Sequence, residues 1–161
     1  MVISKTNAMR ILDIGNIHYG MLAYDNKDGK IDGLSVAQKV DRNVEYVYKT
    51  LVTQGSSKDI YVFVIPVGEE LDLKKAAKVA KEKKVDMIAV KDIQKWTGYI
   101  RGGCSPIGMK KLYPTFIDQH AEKLEKMIVS GGKIGIQIEI NPHDLIEVIQ
   151  GEFAFIIKEQ N

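Results

Sequence analysis

Gly98, Gly102, Gly103 and Gly108 fall within fifteen residues, 97–111, together with Pro106 and three cations, Arg101, Lys110 and Lys111. Glycine at that density lets a backbone turn through positive φ and come close to a ligand. Successive N–H groups in such a turn can converge on an anion or on a developing oxyanion, and one such donor is typically worth about 3 kcal/mol to a transition state. The segment therefore suits a loop shaped to hold something negative. The same residue types also suit a tight connection between two strands.

Lys49 is the second chemically suggestive residue. It interrupts an apolar, β-branched stretch, 44–53, where alternation puts Val47, Lys49 and Leu51 on one face. If that face lines a cleft, an ammonium sits inside and needs an anionic partner. If it lies on an open edge, the ammonium meets water. Ser105 lies in Gly-Gly-Cys-Ser-Pro-Ile-Gly, which is not a nucleophile elbow, and no Ser-His-Asp set assembles from spacing. Cys104 is the one cysteine and needs no special chemistry where it stands. The three histidines, His18, His120 and His143, are scattered without metal-ligand spacing, so no metal and no cofactor is expected. Neither the P-loop order nor the Gly-x-Gly-x-x-Gly fingerprint is present, which disfavours a nucleotide binder or phosphatase.

Several elements must position these groups. An amphipathic helix is expected over 4–14, a strand over 17–24, a turn at 26–29, a short helix over 33–40 and a strand over 44–53. A turn at 55–57 leads to a strand over 60–67. In the lysine-rich stretch 74–84, apolar residues Leu73, Ala76, Ala77 and Ala80 recur at helical spacing behind Asp72 as N-cap, with a solvated lysine face opposite. A short apolar run at 87–90 and a brief helix at 93–96 precede the glycine loop. Strands follow at 115–117, 127–129 and 134–140, with Ser130-Gly131-Gly132-Lys133 as the turn between the last two. Ile134, Ile136, Ile138 and Ile140 share one buried face, and Asn141 and Pro142 open a final helix through 149. Phe153, Ala154 and Ile156 suggest a tail packed on the body. Irregularly interspersed strands and helices argue for an α+β fold.

At 161 residues, 45% of them hydrophobic and 27% charged, the chain fits one domain with a real core. A net charge of +2 gives no global attraction to polyanions, so nucleic-acid contact must come from a local basic face. The longest apolar run, 60–67, is too short to span a bilayer, no signal peptide is evident, and the cytoplasm is the expected compartment without membrane contact.

Five segments occur in a telling order: Tyr48-Lys49-Thr50-Leu51-Val52, Leu71-Asp72-Leu73-Lys74-Lys75, the loop 97–111, Val129-Ser130-Gly131-Gly132-Lys133, and Asp144-Leu145. That ordered set resembles the YbaK/EbsC family of free-standing aminoacyl-tRNA deacylases, itself similar to the editing domain of bacterial prolyl-tRNA synthetases. The resemblance runs from the first helix to about residue 149, and implies one domain over 1–161. It implies a mixed, roughly six-stranded, barrel-like sheet surrounded by helices. Lys49, Gly102, Gly103 and Ser105 would be the catalytic set. Tyr24, Thr50, Gly98, Tyr99, Pro106, Gly108 and Asp144 would bind substrate. The position of Cys104 is variable in the family and gains no role. The implied substrate is cysteine mischarged on tRNA(Pro), with Cys-tRNA(Cys) a second, and the implied partner is prolyl-tRNA synthetase. In the implied reaction the substrate's own thiol attacks its carbonyl, and the pocket supplies positioning and polarisation. The alternative is a module that binds aminoacyl-tRNA or the synthetase without catalysis.

Overall fold

Capping chemistry in the sequence sets most helix boundaries. The computed structural model describes residues 5–159. Thr6 accepts a hydrogen bond from the Met9 N–H and opens α1 (Asn7–Ile14), which ends at Gly15. Ser4, expected as the start of this helix, lies outside the described residues. Asp32 caps α2 (Gly33–Lys39). Asp72 accepts from the Lys74 and Lys75 N–H groups at the start of α3 (Leu73–Ala80). α4 (Ile93–Thr97) stops at Gly98, whose φ of 85° is the left-handed conformation that closes a helix. Asn141 accepts from His143 and Asp144 N–H, and Pro142 begins α5 (Pro142–Ile149).

Among the described residues the strands form two sheets. β1 (Tyr19–Ala23), β7 (Ile136–Ile140) and β6 (Met127–Lys133) make an antiparallel three-stranded sheet in that order. The second sheet runs β4 (Val85–Met87), β2 (Tyr48–Gly55), β3 (Ile60–Pro66), β5 (Thr115–Asp118), β8 (Glu152–Ala154). β2 is antiparallel to both of its neighbours, whereas β3, β5 and β8 are parallel. The sheets touch at one parallel bridge, Val47 with Ile128. This mixed α+β architecture matches the expected class. The six-stranded barrel-like detail does not hold, because eight strands divide between two sheets that do not close.

Two main cores hold the sheets. α1 and α5 bury Met9, Leu12, Leu145 and Ile149 against Ile136, Ile138 and Ile140 of β7 and against Val62 and Val64 of β3. α3 buries Ala76 and Ala77 against Phe63, Ile65, Phe116 and Ile156. Each large side chain removed from water in this way contributes roughly 1.5–3 kcal/mol. The tail does pack on the body: Phe153 and Ala154 lie in β8, and Ile156 is fully buried.

Two local expectations need correction. The stretch 44–53 does not start as strand, because Asn43 caps a 3-10 turn, Val44–Tyr46, and β2 begins only at Tyr48. Residues 130–133 are not the turn between β6 and β7. They continue β6 through a bulge at Ser130/Lys133, which glycines permit. The chain reverses at Ile134 and Gly135, whose φ is 97°. A short strand, β4, forms at Val85–Met87, overlapping the start of the apolar run at 87–90.

Candidate functional site

The two sheets diverge beyond the Val47–Ile128 bridge and leave a cleft of about 740 Å³. One wall is the edge of β2. β4 covers that edge only from Thr53 onward, so residues 48–51 are left uncovered. The hydrogen-bond parity says which main-chain groups face outward. The Val67 N–H donates to the Val47 carbonyl and the Gly55 N–H to the Asp59 carbonyl, so odd-numbered residues of β2 bond to β3. The N–H and C=O of Thr50 must then point the other way, onto the cleft.

Lys49 lines this cleft and is half-buried. Its Nζ lies 3.5 Å from the Val67 carbonyl. Burial pushes its pKa below the ordinary 10.5, and the charges of Glu70 and Glu69 partly oppose that shift. The ammonium is therefore held at the rim of a cleft with a carbonyl for company. An anionic ligand would complete its shell.

The opposite wall is the first half of the glycine loop. Arg101, Gly102 and Cys104 line the cleft. Gly102 has φ 86°, and a Cβ there would lie 2.7 Å from the Ile31 side chain. At Gly103 a Cβ would fall 2.9 Å from the Ile134 backbone nitrogen, so the loop lies flat on the β6–β7 turn. The Gly103 N–H itself donates to the Ile100 carbonyl at 3.0 Å, which removes it as an oxyanion donor. Gly102 and Cys104 remain as the main-chain groups of this loop on the cleft.

The third wall is the segment after β1. Lys39 of α2 ties it down through the Asp25 and Lys30 carbonyls and the Asp28 carboxylate. Gly29, Ile31 and Gly33 of this segment reach the cleft. The floor is the three-stranded sheet, where Ser130 and Gln137 face each other across β6 and β7.

Not every expected site residue joins them. Thr50 does, with a buried hydroxyl that has no partner among the described residues. Ser105 does not: it is fully buried and its Oγ accepts from the Ile107 N–H at 3.2 Å, a turn-forming bond. Tyr24 packs with Val36 and Val40, one layer behind the wall. Gly98 is the C-cap of α4. Tyr99 donates from its hydroxyl to the Ile107 carbonyl at 2.6 Å, and burial raises its pKa to about 12. Gly108 and Gly132 make room for that ring, since a Cβ at either would come within 3.1 Å of it. Pro106 and Gly108 face a separate 220 Å³ hollow beside Ile11 and Val148. Asp144 sits in the first turn of α5, on the far side of the three-stranded sheet from the cleft.

Cys104 is buried, and burial pushes its thiol up to about 11, so it is no ready nucleophile. No group of three His, Cys, Asp or Glu side chains among the described residues could hold a metal. No helix among them is long and apolar enough to cross a membrane. Ser130, Gln137 and Arg101 are cleft residues that sequence reasoning did not single out. In sequence Arg101 reads only as flanking charge and Ser130 as part of a turn. Gln137 alternates with the buried isoleucines of β7, a pattern that gives no sign of its being 5% exposed.

Residues 34–148 match the family described as the aminoacyl-tRNA editing domain, a span that carries both long walls and the floor of the cleft. The chain belongs to that family. Over 156 residues it is 42% identical to a protein of Enterococcus faecalis (strain ATCC 700802 / V583) whose provisionally assigned name is Cys-tRNA(Pro)/Cys-tRNA(Cys) deacylase EbsC. The alignment covers 97% of this chain and 95% of that protein. Two solved structures share the fold. One, described as a candidate trans-editing enzyme for prolyl tRNA synthetase, superposes with a TM-score of 0.80 at 20% identity, over 97% of this chain and 100% of that one. The other, the hypothetical protein APE2540, gives 0.87 at 18% identity, over 95% and 100%. For an editing-family member, a two-sheet cleft lined by two cations, Lys49 and Arg101, and by main-chain groups of the glycine loop is a site that can hold an activated ester.

Proposed function

We propose that this protein is a trans-editing deacylase that removes mischarged cysteine from tRNA(Pro), with Cys-tRNA(Cys) a second substrate. We read residues 1–161 as one editing domain working in the cytoplasm on the charged tRNA pool, with prolyl-tRNA synthetase as its partner. The observation that carries this is the single cleft bounded by Lys49 on one side and by Gly102 and Cys104 on the other. Its volume is within the usual range of small-ligand pockets, about 300–1,000 Å³.

Lys49 holds the anionic 3′-terminal phosphate region as a point charge. The N–H groups of Gly102 and Cys104, with that of Thr50 across the cleft, polarise the ester carbonyl. No protein base or nucleophile is required. The substrate cysteine's thiol attacks its own carbonyl carbon, the bond from that carbon to the ribose oxygen breaks, and the leaving ribose oxygen takes up the thiol's proton, which gives a cysteine thiolactone and a free tRNA end. What the cleft contributes is proximity, polarisation and exclusion of water. Selectivity follows, because a hydrophobic pocket alone distinguishes one methylene by only about 1–3 kcal/mol, whereas alanine has no thiol to react.

The deciding experiment is release of amino acid from Cys-, Ala- and Ser-tRNA(Pro), with and without prolyl-tRNA synthetase. Rapid release of cysteine alone is expected. Equal rates on all three reject the thiol mechanism. No rate above buffer on any leaves a binding module and removes the enzyme.

A further inference from the structure

Gln137 is the group in the cleft that the deacylase chemistry leaves without work. It is 5% exposed and lines the cleft floor. Its carboxamide has no hydrogen-bond partner among the described residues, yet its polar atoms are not sealed in protein as those of Tyr24 and Tyr48 are. A carboxamide enclosed to that degree costs free energy unless something in the cleft bonds to it. Directly across the ladder, the Ser130 Oγ accepts from the Gly132 N–H at 3.2 Å, which leaves its own proton free to donate. Ile136, Ile138 and Ile140 turn the other way into the core, so the strand itself aims Gln137 at the cleft.

The charges around this pair are one-sided. Among the described residues, Lys49 and Arg101 are the cations that line the cleft and Asp32 is the carboxylate, while Glu69 and Glu70, whose charges reach Lys49, do not line it. Asp32 is already engaged at the start of α2, accepting from the Ser35 N–H at 3.1 Å and from the Ser35 hydroxyl at 2.7 Å. A substrate ammonium would thus find cations and a capped carboxylate, and no counter-ion set aside for it.

We propose that Gln137, seconded by Ser130, is the specificity-determining pair that reads the α-amino group of the bound acyl ester as a neutral hydrogen-bonding partner, so that α-amino and α-hydroxy acyl esters are accepted alike. The Gln137 Oε1 accepts from the amine or hydroxyl. Its Nε2 and the Ser130 hydroxyl remain as donors to the acyl oxygen. This rests on the deacylase reading for the identity of the ligand.

The test uses two non-hydrolysable adenosine 3′-amides, one carrying cysteine and one carrying 3-mercaptolactate, its α-hydroxy analogue. Their affinities are measured by calorimetry for the full chain and for Gln137→Glu and Gln137→Met. The unaltered protein should bind both within about threefold, since neither gains an ion pair. Gln137→Met should weaken both by about tenfold, the weight of one hydrogen bond. Gln137→Glu should favour the cysteine compound by about tenfold or more, because it supplies the missing counter-charge. If Gln137→Met fails to fold by circular dichroism, Gln137→Asn makes the same comparison with one methylene removed. A preference above tenfold for the amine in the unaltered protein overturns the proposal, as does unchanged affinity in the folded variants. Separately, tight and even binding of both amides without turnover of Cys-tRNA(Pro) sinks the deacylase reading and upholds the pair.

Discussion

At the scale of single residues, Lys49 and Cys104 show how burial assigns roles. Lys49 keeps a cation in the cleft at a desolvation cost, so its pKa falls below 10.5. On raising the pH, the folded protein gives up this proton before the unfolded chain does. Between the two values the unfolded state binds more protons, so stability rises with pH through that window. Function runs the other way, since the cation is lost as pH passes the folded value. Affinity for an adenosine 3′-amide that carries a 5′-phosphate should therefore fall along an alkaline limb centred below pH 10.5, and Lys49→Met should lack that limb. The same variant should lower kcat/KM by about a hundredfold while its melting temperature stays the same or rises. Cys104 is the opposite case. With its thiol at about 11 it is almost wholly protonated at pH 7, so iodoacetamide at neutral pH should neither label it within an hour nor slow deacylation. Fast labelling by mass spectrometry would restore it as a reactive group.

At the scale of elements, the glycine loop is a bracket between two structures rather than a uniform cradle. Arg101, Gly102 and Cys104 lie on the cleft, and 106–111 lie on the far hollow against α1 and α5. Tyr99 links the halves through the Ile107 carbonyl. Gly103→Ala drives a Cβ to 2.9 Å from backbone that cannot swing away, so it should displace the loop from the β6–β7 turn. Turnover should fall by at least tenfold while circular dichroism stays close to normal, as a shift of about 1 Å in positioning groups can cost that much. Ile156→Ala empties a fully buried site shared by α3, β3 and β5, and should destabilise by about 2–5 kcal/mol in a urea melt. Helices were legible in the sequence because their ends are written locally: Asp72, Asn141 and Pro142 each do their work within three residues. The β6 bulge was not, since Gly131-Gly132 reads as a turn unless the partner strand is known. β8 was not, because its three residues become a strand only by pairing with β5. The site divided in the same way. Lys49 and Gly102 carry a local signal of odd charge and left-handed turn. Gln137 looks like any polar residue on an alternating strand until α2 and the glycine loop fold over it.

At the scale of the whole molecule, charge limits how the protein can hold a nucleic acid. Twenty-three cationic residues face twenty-one acidic ones, for a net +2. Many of the cations are also engaged: Lys39 clamps the segment after β1, Arg42 pairs with Glu139, and Lys158 pairs with Glu70. Among the described residues, only Lys49 and Arg101 are cations lining the cleft. Each phosphate neutralised on a single strand contributes about −0.7 to the slope of log K against log salt, so a site using those two cations should show a slope of about −1.4. A broad tRNA-binding face with six or more contacts would instead give about −4 or steeper. Measured by filter binding of tRNA(Pro) between 50 and 200 mM salt, the shallow slope is the expected result. Binding that shallow is weak at physiological salt, so the protein would recognise the acyl end and leave recognition of the tRNA body to another molecule. Addition of prolyl-tRNA synthetase should then raise kcat/KM on Cys-tRNA(Pro) by lowering KM, with kcat unchanged, because the synthetase adds binding and no chemistry. A steep slope, or no response to the synthetase, would mean that the chain carries its own tRNA-binding face away from the cleft.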